Sequence, residues 1–160
     1  MSYRIGSGVD FHQLKKGRDL WIGGMQIPHS KGAVGHSDAD VLLHAICDAI
    51  LGALALGDIG AHFPNNSDEY KNIASSILLQ RTVKLMQNEA YNLVNIDSTV
   101  CLEEPKINPY VEEMREHIAG ITGIAVNNIS VKATTTEKMG FIGKKKGIMA
   151  YATVLLTKNA

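Results

Sequence analysis

Residues 37–57, SDADVLLHAICDAILGALALG, decide the fold, because they read as one long helix that is apolar around most of its circumference. Val41, Ala45, Cys47, Ala49, Ile50, Leu51 and Leu54 cover so much of its surface that it must be largely buried. Ser37 is a good N-cap, Asp40 three residues on makes a weaker capping box, and Gly57 is the expected stop. Upstream, Tyr3 to Val9 reads as a strand ending at Asp10. Leu20-Trp21-Ile22 and Met25-Gln26-Ile27 form a hairpin about Gly23-Gly24, and a polar loop runs from Pro28 to Ser37. Downstream, the pattern predicts helices over Ile73–Tyr91 and from Asn108-Pro109 to Gly120, and strands over Asn95–Glu103, Ile129–Thr135 and Gly147–Thr157. This order predicts an α+β fold: a two-layer α/β sandwich, a small mixed sheet with helices on one face, in a single domain over residues 1–160.

Composition narrows the function. The 16 basic and 16 acidic residues of the 160-residue chain balance, so no broad field draws it to nucleic acid or to an anionic membrane. Phosphate binding must come from a local site. Cys47 and Cys101 lie far apart in apolar surroundings and read as buried, reduced thiols. The N-terminal residues carry no apolar signal core, and no apolar run approaches the ~20 residues that cross a bilayer. A cytoplasmic protein with no membrane partner is the expectation.

Four segments carry chemistry. In Asp10-Phe11-His12 the first and third residues of an extended segment point the same way, so a carboxylate and an imidazole converge. His44, in the middle of an apolar helix, is the third candidate. Two imidazoles and a carboxylate with one position open are what a catalytic zinc ion needs. A hydrogen-bonded core histidine is the competing reading. Asp40, His44 and Asp48 share a helical face, so either carboxylate is placed to orient His44. The loop from Gly35 through His36 to Asp40 meets a helix N-terminus suited to phosphate, unless its acids are plain caps. Thr134-Thr135-Thr136-Glu137 offers hydroxyls for a diphosphate and a carboxylate for the accompanying Mg²⁺, against a run that reflects β-propensity alone. Lys144-Lys145-Lys146 lacks the Walker A context, and Lys145 and Lys146 read as a solvated tip. Gly57 to Pro64 is either a loop covering a substrate or a plain turn. No nucleophile elbow and no catalytic cysteine setting is present.

IGSGVDFH (5–12), IGGMQIPHSKGAVGHSDADVLLHAICDAILGALALGDIG (22–60), HFP (62–64), EEPKI (103–107) and VKATTTEKMGFIG (131–143) together resemble the 2-C-methyl-D-erythritol 2,4-cyclodiphosphate synthases of the non-mevalonate isoprenoid pathway. The match runs over nearly the whole chain. The resemblance implies a phosphorus–oxygen lyase that closes 4-diphosphocytidyl-2-C-methyl-D-erythritol 2-phosphate to the cyclic diphosphate and releases CMP. It implies a homotrimer with active sites between subunits. Asp10, His12 and His44 match the family's zinc ligands, one ion per site, and Glu137 matches a ligand of the Mg²⁺ or Mn²⁺ on the diphosphate. His36 and Thr135 match the residues credited with transition-state stabilisation. Ser37, Asp58, Ile59, Gly60 and the loop Phe63-Pro64-Asn65-Asn66-Ser67 match the methylerythritol pocket, alongside Asp10, His12 and His36. Leu102, Pro105, Lys106, Asn108, Thr134, Thr135, Thr136 and Glu137 match the cytidine-diphosphate contacts, with Phe141 and Lys144 in the same substrate-binding set. Asn65-Asn66 stands where the family often has an acid, and Lys144 where many members have arginine, which leaves a point charge without a bidentate fork. A metal-dependent phosphohydrolase would instead give a linear product, and a non-catalytic nucleotide-binding trimer would give none.

Overall fold

The computed structural model describes residues 2–159. Five strands form the main sheet in the order β4-β1-β7-β5-β6, where β1 is Tyr3–Lys16, β4 Lys31–Val34, β5 Tyr91–Cys101, β6 Ile129–Thr134 and β7 Gly147–Lys158. Only β5 and β6 pair in parallel, so the sheet is mixed. A small hairpin of β2 (Leu20–Ile22) and β3 (Met25–Ile27) stands apart from it, turning at Gly23-Gly24 as the paired glycines predict.

Helices α1 (Val41–Ala53), α3 (Ser75–Asn88) and α4 (Val111–Thr122) form the second layer, with short helices α2 (Ile59–His62) and α5 (Gly140–Gly143) in the connections. Along β1 the even positions Gly6, Gly8 and Leu14 are buried, and the odd positions Ile5, Val9 and Phe11 are exposed. That period of two sends one face of the sheet under the helices and leaves the other bare. In α1, eleven of thirteen residues are buried, His44 among them. It lies directly on β1 because Gly6 and Gly8 have no side chains. A Cβ on Gly6 would come within 2.7 Å of the Ala53 backbone nitrogen, and one on Gly8 would approach the Ala49 nitrogen as closely.

Several boundaries differ from the expectation. β1 runs six residues past Asp10, so Asp10 and His12 lie inside a strand. β4 occupies what reads as loop. Its Lys31 and Gly32 mask the strand signal, and pairing with Gln13–Lys16 supplies the order. α1 starts at Val41 with Asp40, not Ser37, as its cap, since Asp40 Oδ1 accepts the Leu43 N–H at 3.1 Å. α3 stops at Asn88, and Tyr91 to Val94 join β5 through an irregularity between Leu93 and Asn95 that breaks the alternation there. α4 is preceded by a 3₁₀ turn, Asn108–Tyr110, and ends on Gly123 at φ 77°.

Candidate metal centre and substrate pockets

β1 sends Asp10 and His12 toward the helix layer, and α1, held close over Gly6 and Gly8, brings His44 down onto them. The three side chains meet at one point. Asp10 Oδ2 lies 2.9 Å from His12 Nε2 and 3.0 Å from His44 Nδ1, and the two nitrogens are 3.2 Å apart. Tetrahedral zinc with bonds near 2.1 Å spaces its donors ~3.3 Å apart, so the triangle fits a metal of that size. Among the described residues this is the cluster of histidine, cysteine and carboxylate groups that could hold an ion.

The ring orientations support the same reading. His12 Nδ1 lies 3.0 Å from the carbonyl oxygen of Val34, which only accepts, so Nδ1 carries a proton and Nε2 is the nitrogen left to bind a metal. Burial alone would raise the Asp10 carboxyl, but hydrogen bonds and charge from His12 and His44 outweigh it and hold the group well below the usual carboxylate range. For His12, burial favours the neutral ring, and its contact with Asp10 overrides that and raises its pKa. The Asp10 carboxyl is therefore ionised and presents a negative charge to a cation.

His44 Nε2 points away from the triangle, 2.8 Å from Ser75 Oγ and 3.2 Å from Ser37 Oγ. Asp40 and Asp48 do not orient it. Asp40 is fully buried on the N–H groups of Gly23, Gly24 and Leu43, and Asp48 accepts the Ile59 N–H at 2.7 Å, tying α2 to α1. The nearer of the two partners of His44 Nε2, Ser75, comes from a segment 31 residues away, which helical spacing does not reveal.

The triangle opens into a pocket of about 290 Å³ whose walls include His36, Ser37, Ile59, Gly60, Phe63 and Asn65. Tyr70, Ile73 and Leu78, absent from the sequence-based set, complete it with apolar surface, and Phe63 and Tyr70 meet edge-on. His36 Nε2 donates to the Ser67 carbonyl at 3.0 Å. Asp58 lies outside the wall and caps α2 through Ala61 N–H at 2.9 Å. Pro64, Asn66 and Ser67 also lie outside it, with Ser67 capping the turn at Asp68–Tyr70.

A second pocket of about 300 Å³ collects Leu102, Pro105, Lys106, Asn108, Thr134, Thr135 and Glu137. Thr135 Oγ1 donates to Glu137 Oε1 at 3.2 Å, orienting the carboxylate. Thr136 turns away to donate to the Met139 carbonyl, at 2.6 Å. Glu103, in the same pocket, has a buried Oε2 without a hydrogen-bond partner. Phe141 instead packs against Phe11, ring centroids 6.2 Å apart, and Lys144 is exposed beyond α5. Lys145 is exposed too, and pairs with Glu104 at 2.8 Å. The two pockets sit at the same end of the sheet. Asp10 faces Ala150, which faces Val100, which faces Ala133, so they stand three strand spacings, roughly 14 Å, apart.

The profile of the YgbB family matches residues 3–157. A 2-C-methyl-D-erythritol 2,4-cyclodiphosphate synthase of Bacteroides thetaiotaomicron is 55% identical over 159 residues, covering 99% of this chain and 100% of the relative. Among solved structures, the bifunctional IspDF from Campylobacter jejuni superposes with a TM-score of 0.94 at 39% identity. That match covers 98% of this chain, which spans 42% of the bifunctional protein. A CDP complex of IspF from Plasmodium falciparum matches with a TM-score of 0.87 at 36% identity, covering 99% and 98% of the two chains.

Proposed function

The chain belongs to the YgbB family, and from that premise we propose that it converts 4-diphosphocytidyl-2-C-methyl-D-erythritol 2-phosphate to 2-C-methyl-D-erythritol 2,4-cyclodiphosphate and CMP, as a phosphorus–oxygen lyase. The observation that carries the reading is the triangle of Asp10, His12 and His44 opening into a pocket of substrate size.

An oxygen of the substrate's own 2-phosphate forms a bond to the β-phosphorus, while the bond from that phosphorus to the bridging oxygen breaks and the oxygen leaves with CMP. No protein nucleophile is needed. The barrier is mutual repulsion of anions and misorientation, and side chains act on both. Asp10, His12 and His44 would hold a zinc ion and Glu137 a Mg²⁺ or Mn²⁺ ion, which when bound would supply Lewis-acid polarisation and charge screening of the phosphate oxygens. Phe63, Tyr70, Ile73 and Leu78 give the methylerythritol part an apolar seat and exclude water. His36, held by the Ser67 carbonyl in the wall of the first pocket, and Thr135, which orients Glu137, are the residues we assign to transition-state stabilisation. To the pocket of Leu102, Pro105, Lys106 and Asn108 we assign the cytidine diphosphate, and the CDP complex of the Plasmodium falciparum relative supports a cytidine nucleotide as ligand.

We assign a homotrimer whose neighbouring subunits complete each site. The separation of the two pockets supports this, as does the bare sheet face, where Ile5 is 74% and Phe11 52% exposed. No helix among the described residues is long and apolar enough to cross a membrane. Two buried free thiols suit the cytoplasm.

Phosphorus NMR of the purified chain with substrate and Mg²⁺ tests the reaction. Paired signals of a cyclic diphosphate together with CMP are expected. A linear phosphate product would favour a phosphohydrolase, and unchanged substrate a binding protein.

A further inference from the structure

We infer that Ser75 and Asp38 form a hydrogen-bond relay that fixes the tautomer of His44 and aims its Nδ1 at the metal. The inference rests on the metal centre proposed above. It starts from Asp38, whose Oδ2 accepts the Ser75 N–H at 2.9 Å and whose Oδ1 accepts the Asp40 N–H at 3.2 Å and the Ser75 hydroxyl. An ionised carboxylate has no hydrogen to give, so the Ser75 hydroxyl hydrogen is committed to Asp38. Ser75 Oγ then offers only lone pairs to His44 Nε2, 2.8 Å away, and Nε2 must be the protonated nitrogen. Ser37 Oγ, which accepts the Ala39 N–H, stands 3.2 Å from the same Nε2 and 3.5 Å from Ser75 Oγ, so a hydroxyl hydrogen directed at Ser75 leaves it a lone pair for Nε2.

When a cation replaces the proton between His44 and Asp10, an imidazole protonated at Nε2 presents its lone pair at Nδ1, the nitrogen 3.0 Å from Asp10 Oδ2. Ser75 has 0% of its surface exposed, so bulk water does not compete for the bond. The relay therefore sets His44 as the Val34 carbonyl sets His12, with one added property. Its far end is a negative charge, which strengthens Nδ1 as a donor to a cation. Ser75 and Asp38 are thus positioning residues, acting through His44 without touching the ion. The same bonds also tie the start of α3 to the segment before α1, so a loss of stability alone does not separate a relay from a simple tie. The tautomer does.

Two-bond proton–nitrogen correlation spectra of the metal-free, ¹⁵N-labelled protein read it directly. The expected result is a protonated Nε2 at His44, whether or not Asp10 also holds a proton on Nδ1 while the metal is absent, and a bare Nε2 in the wild-type chain would overturn the inference without any variant. Ser75→Ala should mix the tautomers and weaken zinc or cobalt binding, measured by chelator competition, by roughly 10–100-fold. Ser75→Thr, which keeps the hydroxyl, should recover most of that loss. Wild-type zinc affinity in Ser75→Ala would overturn the relay. Failure of the wild-type chain to bind either metal would instead overturn the centre itself, with the tautomer still decided by the nitrogen spectra.

Discussion

Asp10 holds two imidazoles with one carboxylate oxygen, and no neighbour is placed to substitute for it. Asp10→Ala should leave a folded protein whose turnover in the phosphorus NMR assay falls by about 10³-fold or more, the order of a lost transition-state stabiliser. Wild-type turnover in that variant would remove the metal from the mechanism. Cys47 makes a contrasting case, because burial pushes its thiol up to about 12. In the unfolded chain the thiol ionises near ~8.5, so the folded state retains a proton that the unfolded state gives up. The stability that Cys47 contributes is therefore complete below ~8.5 and is lost as pH rises toward 12. Urea titrations at pH 8 and pH 10 should show wild type losing about 2 kcal/mol more than Cys47→Ala over that interval. Equal losses would contradict the burial argument. The D-x-H pair and His44 are legible in sequence because strand and helix periods place them. Ser75 is not, because its partner lies 31 residues away and only the packing of α3 on α1 brings the two together.

Among the elements, the contact of α1 on β1 governs the site. Gly8→Ala would press a methyl group between Ala45 and Ala49 of the helix, 2.7 Å from a backbone nitrogen that cannot move without the whole of α1. The expected cost is about 1–3 kcal/mol, seen as a lower melting temperature, together with weaker zinc binding as His44 lifts from Asp10. An unchanged melting temperature would mean that the two elements are less tightly joined than their contacts indicate. The helix itself is plain in the sequence from its apolar circumference. Its start is not, because Ser37 and Asp40 are both good caps and the choice falls to Asp40 through the hairpin amides of Gly23 and Gly24. β4 is likewise hidden by Lys31 and Gly32, although its last residue supplies the carbonyl that orients His12.

For the molecule as a whole, the α+β sandwich with helices on one face follows from the order of strands and helices, whereas the exposure of Ile5, Val9 and Phe11 on the other face is seen only in the structure. What a single chain does not join is the pocket at Asp10 and the pocket at Glu137. Asp10→Asn and Glu137→Gln chains, each inactive alone, should regain part of the wild-type rate when refolded together, because some mixed assemblies then pair an intact half from each. No recovery, with mixed assemblies verified by native mass spectrometry, would place both halves of a site in one chain. The bare face has a further consequence in mass action. If the rate belongs to a junction between copies, it is a property of the population. Activity per chain should then hold constant at high concentration and collapse on dilution below the assembly's dissociation constant, with a lag on reconcentration set by re-encounter of subunits. Progress curves over a dilution series, beside analytical ultracentrifugation, measure it, and constant activity per chain in the monomer range would show that one copy suffices.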